Sequence, residues 1–388
     1  MKYIAKTLFG LETVLSQELE QIGAQNIEVL KRAVAFEGDL EVLYRANLEL
    51  RTALRILHPI KQFRAQNDNQ LYNKAYKFNW SNYLSTQQTF AIDAVVNSDH
   101  FRHSKFAALR LKDAIVDQFR KHTNRRPTVD TRFPHVRFHL HISGDRITIS
   151  LDSSGESLHK RGYRGRSLVA PINEVLAAGM VLLSGWQADC DFLDPMCGSG
   201  TIAIEAALFA HGMAPNLFRH DFGFQNWPDF DSALWSRVLQ QAREKVRTFQ
   251  HNIMAYDKDF KAVRATEQNA EAAGLEGKID IQRQRFEKLE APSRLPCLLM
   301  TNPPYDERLQ QFDIGDFYQL MGDQFKQNFS GCEAWIISSN LAALKKVGLR
   351  PSSKTILFNG ALECRLVQYQ LYKGSVKNKA PKKTQKEE

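Results

Sequence analysis

Between residues 190 and 208 a β-like run, a bend poor in side chains and a helical run follow one another, and this succession restricts the fold more than any other stretch. Cys190-Asp191-Phe192-Leu193 leads into Asp194-Pro195-Met196-Cys197-Gly198-Ser199-Gly200-Thr201, and Ile202 to Leu208 continues as an apolar helix. Glycines permit positive φ and let a backbone approach a ligand closely, which in doubly wound α/β folds happens at the carboxyl end of a parallel strand. The loop is not a dinucleotide fingerprint, because only Gly198 and Gly200 are present, and no Gly-Lys-Ser/Thr of a phosphate-cradling loop follows.

Two later stretches narrow the chemistry. Asn252 to Tyr256 is a plausible second strand ended by Asp257, and a carboxylate at a strand tip can accept both hydroxyls of a ribose. A single strand-end acid is ordinarily just solvated, so Asp257 gains weight only from its company. Asp194 would repel a pyrophosphate, whereas it suits the cationic amino-acid end of S-adenosylmethionine. Cys197, inside the bend, is expected to contribute backbone rather than to act as a nucleophile. Asn302-Pro303-Pro304-Tyr305 follows the apolar run Cys297 to Met300. An amine conjugated to a ring is a poor nucleophile, so a site must accept hydrogen bonds from its N–H groups and aim its lone pair. The Asn302 side-chain carbonyl and the Pro303 backbone carbonyl are two such acceptors, the prolines fix φ, and Tyr305 offers a flat stacking face. Asn-Pro and Pro-Pro are also ordinary loop formers. The order of the three stretches is what makes coincidence a poor explanation: glycine loop, ribose acid, then Asn-Pro-Pro-Tyr, each after a β-like run.

With these motifs the chain resembles the class I S-adenosylmethionine-dependent methyltransferases that modify exocyclic amines. The runs Leu151 to Arg164 and Asn302 to Leu309, with Met213-Ala214-Pro215, resemble more narrowly the ribosomal RNA large subunit methyltransferase L family, over residues 1 to about 372. The resemblance implies a Rossmann-like class I methyltransferase behind an α+β ferredoxin-like and THUMP RNA-binding region, acting on N2 of a guanine in 23S rRNA. Expected boundaries are 1–60 for the ferredoxin-like part, 61–160 for THUMP, 161–372 for the catalytic domain and 373–388 for a basic disordered tail. The implied cofactor is S-adenosylmethionine, held by Asp194 to Thr201, Asp257 and Phe286. Relatives are often named as adenine-specific DNA methylases. The chain departs from the family pattern at Arg285, where an acid usually faces the adenine and where guanidinium can only donate, and at Asp306, where Gly is common.

Charge supports an RNA partner by its distribution. Residues 61–166 carry a net +10, against −1 for 1–60, −4 for 167–372 and +4 for the tail. A helix is expected over Asp99 to Thr123, burying Phe106, Leu109, Leu111, Ile115, Val116 and Phe119 and presenting Arg102, Lys105, Arg110, Lys112, Arg120 and Lys121. Arg125 and Arg126 extend this surface, and Arg161 and Arg164 are further RNA-binding candidates. Val136 to Ile142 and Ile147 to Leu151 alternate about a Ser-Gly-Asp turn and predict a hairpin, with His139 and His141 as outward polar positions rather than metal ligands. Arg161 to Arg166 is expected to join the binding and catalytic halves, with Tyr163 or Arg164 over the cofactor or target nucleotide. Pro171 to Trp186 should be an amphipathic helix. The aromatics Phe222, Phe224, Trp227, Phe230 and Trp235 lie in an insertion and could stack on bases, although packing is the commoner fate.

The sequence shows no long apolar run of a membrane span and no signal-peptide pattern at its start, so a cytoplasmic monomer without metal is expected. The five cysteines read as reduced core thiols. Asn-Pro-Pro-Tyr also serves adenine-N6 methylation of DNA or RNA and methylation of a protein glutamine amide, and an RNA-binding assembly factor without catalysis is a further alternative. The expected partner is 23S rRNA or a large-subunit assembly intermediate, and one modification is expected because no second motif set is present. Affinity for RNA should fall steeply with added salt, because binding releases counterions from the phosphates; a titration at several salt concentrations with a flat log–log slope would contradict this.

Overall fold

The computed structural model describes residues 1–165, 172–304 and 314–372. Arg166, Pro171, Tyr305, Asp306 and the tail from 373 lie outside the described residues. The chain divides into two units, Met1–Gly162 with Met213–Val246, and Tyr163–Gly212 with Arg247 onward. In chain order the helices are α1 (Glu12–Gln21), α2 (Leu40–Glu49), α3 (Asp68–Tyr76), α4 (Ser104–Thr123), α5 (Glu174–Leu183), α6 (Thr201–Ala210), α7 (Ser232–Glu244), α8 (Phe260–Ala272), α9 (Ile314–Asn328) and α10 (Leu341–Lys346). Asp39, Asn67, Asn173, Asp231, Asp259 and Asn340 each accept a backbone N–H in the first turn of α2, α3, α5, α7, α8 and α10, the usual signal that starts a helix.

In the first unit, β1 (Lys2–Lys6), β2 (Gln25–Leu30), β3 (Ala33–Glu37), β4 (Arg55–Arg64), β5 (Thr89–Asn97), β6 (Thr128–Val129), β7 (Val136–Ser143) and β8 (Arg146–Asp152) share one sheet, ordered β2-β3-β1-β4-β8-β7-β5-β6. The segments expected to part at residue 60 are therefore joined, because β4 runs across that position and pairs with β1 on one side and β8 on the other. The expected hairpin forms, with Ile142 opposite Ile147 and Phe138 opposite Leu151. Val136, Phe138, Leu140 and Ile142 are buried, as the alternation requires. The opposite face is less open than expected: His139 is half-buried, its Nδ1 has no hydrogen-bond partner, and burial, aided by Lys6, pushes its pKa down to about 4.

Two expectations about α4 need correction. It begins at Ser104, and Phe106 and Leu109 are about half exposed. Leu111, Ile115, Val116 and Phe119 are buried as expected, and Ala107, Ala114 and Gln118 complete the stripe, where small alanines let the helix approach the sheet and leave Phe106 and Leu109 one step round the axis. Gln118 is part of that stripe because it accepts from Trp80 N and donates to the carbonyls of Tyr76 and Phe78.

The second unit holds β9 (Asp191–Asp194), β10 (Ile253–Asp257), β11 (Asp280–Arg283), β12 (Cys297–Thr301), β13 (Cys332–Ser338), β14 (Ser353–Asn359) and β15 (Leu362–Gln370), ordered β11-β10-β9-β12-β13-β15-β14. The pairs from β11 to β13 are parallel, and β15 is antiparallel to both of its neighbours. Connections from β9 thus lead first to one side and later to the other, which places a topological switch at its carboxyl end. Helix α5 is enclosed on every side from Glu174 to Val181 rather than amphipathic. All five cysteines are free and buried. Among the described residues no helix is long and apolar enough to cross a membrane.

Residues 213–246 follow α6 in sequence yet belong to the first unit. Phe222, Phe224, Trp227 and Trp235 join its core, and the Tyr44 ring stacks on Phe224 at 4.5 Å while its hydroxyl accepts from Asp231 N at 2.9 Å. Asn216 donates to Asn47 O at 3.0 Å, and Arg219 donates to the carbonyls of Ser154 at 2.7 Å and Glu156 at 2.8 Å. These aromatics are packed, so the alternative of stacking on bases does not hold for them. At Gly223 an added Cβ would stand 2.4 Å from the Asp152 carbonyl oxygen. Gly223→Ala should therefore cost about 1–3 kcal/mol of stability through overpacking, while Gly165→Ala, with open space around it, should be close to neutral; thermal melts of the two variants decide this.

Candidate functional site

Asp194 ends β9, Asp257 ends β10, and Asn302 directly follows the last residue of β12. Since β10 and β12 flank β9 and run parallel to it, with Ala255 opposite Asp194 and Leu299 opposite Leu193, the three residues share one end of three adjacent strands. Neighbouring strands lie about 4.8 Å apart, so groups far apart in sequence converge within reach of one small ligand.

The glycine loop is held in place by side chains from α8 as well as by its own turns. Gly198 and Gly200 both have positive φ, and a Cβ on Gly200 would stand 2.4 Å from Thr266 Cγ2. Gly198 N donates to Asp257 Oδ2 at 3.0 Å, Thr266 Oγ1 donates to Gly198 O at 3.0 Å, and Asn269 donates to Ser199 O at 2.9 Å. Cys197 N donates to Tyr256 O at 2.9 Å, and its buried thiol is pushed well up by burial and by Asp194, so it is no thiolate nucleophile. Pro195 is buried, Met196 half-buried, and Thr201 starts α6 with its hydroxyl accepting from Arg164 at 3.0 Å. Asn302 is half-buried, Pro303 buried and Pro304 exposed; Tyr305 lies outside the described residues. Thr301 Oγ1 is buried without a partner.

Other candidates fall elsewhere. Phe286 packs in the core, stacked on Phe329 at 6.2 Å and edge-on to Phe325 at 5.9 Å. Arg285, the residue before it, is exposed. Arg102, Lys105, Arg125 and Arg126 are exposed as expected of phosphate-binding groups, whereas Arg110 lies over the Tyr72 ring at 4.8 Å and Lys112 pairs with Asp113 at 2.6 Å. Arg161 is buried and donates to the carbonyls of Leu158 and Arg51, so it cannot reach a phosphate. Arg164 is likewise committed, to Thr201, Ile172 O and Glu174, and Tyr163 is buried against Glu205 at 3.0 Å. The unit boundary does fall inside the expected junction, between Gly162 and Tyr163.

Sequence reasoning missed Thr266 and Asn269. Their signal was available: two polar residues at i and i+3 on the buried face of α8, among Ala262, Val263 and Ala270.

Comparison with known proteins divides the chain into three successive stretches. A family model described as the RMKL-like methyltransferase domain matches residues 161–368, a THUMP domain model matches 65–152, and a model of the RlmL ferredoxin-like domain matches 2–57. A protein of Syntrophotalea carbinolica named "Ribosomal RNA large subunit methyltransferase K/L" is 38% identical over 96% of this chain and 54% of its own length. The chain thus spans about half the length of that relative. A Synechocystis protein named "Putative RNA methyltransferase slr0064" is 40% identical over 95% of this chain and 97% of its own length. The crystal structure of SMU.472 complexed with SAH superposes with a TM-score of 0.85 at 31% identity, covering 97% of this chain and 98% of that one. The architecture is accordingly a ferredoxin-like and THUMP unit followed by a class I methyltransferase fold.

The site suits the cofactor of that fold. Gly198 and Gly200 form a bend that a Cβ at 200 would disturb, and Asp194 and Asp257 stand at the strand ends beside it. Asp194 is fully buried, and burial, opposed by the Met196 N–H and reinforced by Asp257, holds its pKa well above the carboxylate range. Because that value is higher folded than unfolded, Asp194 costs the fold stability as pH rises from the unfolded pKa through the folded one. A cation beside it favours the carboxylate and offsets this cost. Binding of S-adenosylmethionine should therefore release a proton and tighten as pH rises through that window. Calorimetry in buffers of different ionisation enthalpy reads the proton, and Asp194→Asn should bind about tenfold more weakly or worse without releasing one.

Proposed function

The chain belongs to the RMKL-like methyltransferase family with THUMP and RlmL-type ferredoxin-like domains, and from this premise we propose that it methylates the exocyclic N2 of a guanine in 23S rRNA. The supporting observation is the meeting of Asp194, Asp257 and Asn302 at the carboxyl ends of three adjacent parallel strands. Asp194 faces the amino-acid end of the cofactor, Asp257 its ribose, and the backbone of residues 195–201 its remainder. S-adenosylmethionine, when bound, supplies an electrophilic methyl group on a sulfonium.

The residues of the chain do the positioning. Asn302 accepts an N–H of the guanine amine through its side-chain carbonyl and Pro303 accepts the other through its backbone, which turns the nitrogen lone pair toward the methyl and stabilises the positive charge that develops there. Tyr305 supplies the face on which the base lies once it has left its stack. Proton loss follows transfer, so no strong base is required. RNA is gripped by residues 61–160, whose exposed Arg102, Lys105, Arg125 and Arg126 meet phosphates, while 161–372 carry the chemistry apart from the segment that returns to the first unit.

Asn302→Ala should lower kcat by about tenfold or more and leave cofactor affinity intact, since it removes an interaction made mainly in the transition state. An unchanged kcat removes Asn302 from catalysis. Nucleoside mapping of 23S rRNA from cells lacking the gene should show one N2-methylguanosine missing, restored by the wild-type gene and not by Asn302→Ala; a lost N6-methyladenosine would instead assign the same site to adenine.

A further inference from the structure

One cleft of the first unit carries cations and aromatic rings that methyl transfer does not use. Its volume is about 670 Å³, and it opens between residues 132–137, 155–162 and 218–223; of the cations in its lining, Arg137, Arg161 and Arg219 are committed to protein partners, which leaves Arg132 and Lys160 at its surface. Its walls are tied from behind. Asp130 accepts the N–H groups of Arg132 at 2.8 Å and Phe133 at 3.0 Å. On the other side Arg219 spans to the carbonyls of Ser154, Glu156 and Ser157 and lies over the Phe222 ring at 5.1 Å. Arg219 is therefore a brace.

Against these fixed walls two phenylalanines stay in water. Phe133 is 80% exposed and Phe218 49%, and both line the cleft. Arg132 beside them is exposed and has no ion pair among the described residues, and Lys160, paired with Glu156 at 2.9 Å, is also largely exposed. An apolar ring on a tethered loop next to an unpaired guanidinium matches a ligand with flat faces and regularly spaced negative charge. Unpaired nucleotides have both, because their bases expose π-faces and their phosphates follow one another along the strand. A duplex hides those faces in its stack, so the cleft favours a single strand.

We propose that this cleft binds a single-stranded stretch of the RNA substrate, with bases stacked on Phe133 and Phe218 and phosphates met by Arg132 and Lys160. The inference rests on the RNA methyltransferase reading above and adds where and in what form the RNA is held. It also accounts for the return of residues 213–246 to the first unit, since from within the catalytic half of the sequence they supply one wall of the RNA cleft.

The test uses the full chain and fluorescence anisotropy with a labelled oligoribonucleotide, once as a single strand and once annealed to its complement. The wild type should prefer the single strand. Phe133→Ala with Phe218→Ala should weaken that binding by about tenfold or more with an unchanged salt slope, Arg132→Gln should lower the slope by about one, and Phe133→Trp should retain binding. Matching thermal melts and unchanged S-adenosylhomocysteine binding establish that the variants are folded. Wild-type affinity in the double variant, or equal affinity for duplex, overturns the cleft while leaving methyl transfer standing. Failure of the wild type to bind S-adenosylhomocysteine or methylate rRNA, with the predicted losses of RNA binding, sinks the enzymatic reading and leaves the cleft in place.

Discussion

Parallel pairing of β9 with β10 on one side and β12 on the other is the constraint from which the site follows. The chain leaves β9 toward β10 and reaches β12, on the other side of β9, only after β11, so the connections above its carboxyl end diverge. The bend after Asp194 therefore has open space above it and acids and amides at its flanks. No individual residue has to travel to build the site. The side chains that fix the bend come from α8, where Thr266 is fully buried and Asn269 nearly so, each bonded to a loop carbonyl. Losing either would remove a side-chain donor from a loop carbonyl, at a typical cost of about 0.5–1.5 kcal/mol.

The second unit depends on strand order, and the first depends on an annexed segment. The core around Tyr44 contains Phe222, Phe224 and Trp235, which lie far along the chain from β1 to β8. Close backbone approach at Gly223 and the Arg219 brace then hold the segment against the loop after β8. The same brace ties one wall of the cleft to the backbone of Ser154, Glu156 and Ser157.

Much of the catalytic half was legible in the sequence. The glycine loop, Asp257 and Asn302 each announced themselves by a turn residue or acid after an apolar run, and their strand-end positions follow from that pattern. The hairpin was legible too, because strict alternation from 136 to 142 admits few other folds. Other features were hidden because they depend on tertiary neighbours. Phe286 stands next to a motif position, yet three phenylalanines packing together decide its place. Arg161 and Arg164 look like free cations until the carbonyls that surround them are seen. Phe106 and Leu109 fit a helical stripe on paper, but the alanines of α4 set which face can approach the sheet. The aromatics after 216 gave no hint of which unit they would join, since apolar content says how much is buried and not against what.

Because residues 213–246 return to the first unit, the polypeptide passes between the two units at 162, 212 and 246. A ribosome producing it in order would release α1 to α4 and their sheet well before the rings that cover Tyr44 exist. Until residue 246 emerges, that nascent layer presents an uncovered aromatic face, a natural point for chaperone attention or misassembly. For the same reason a truncation at 162 would not isolate an independent module, and neither unit can be exchanged between relatives as a single contiguous cassette.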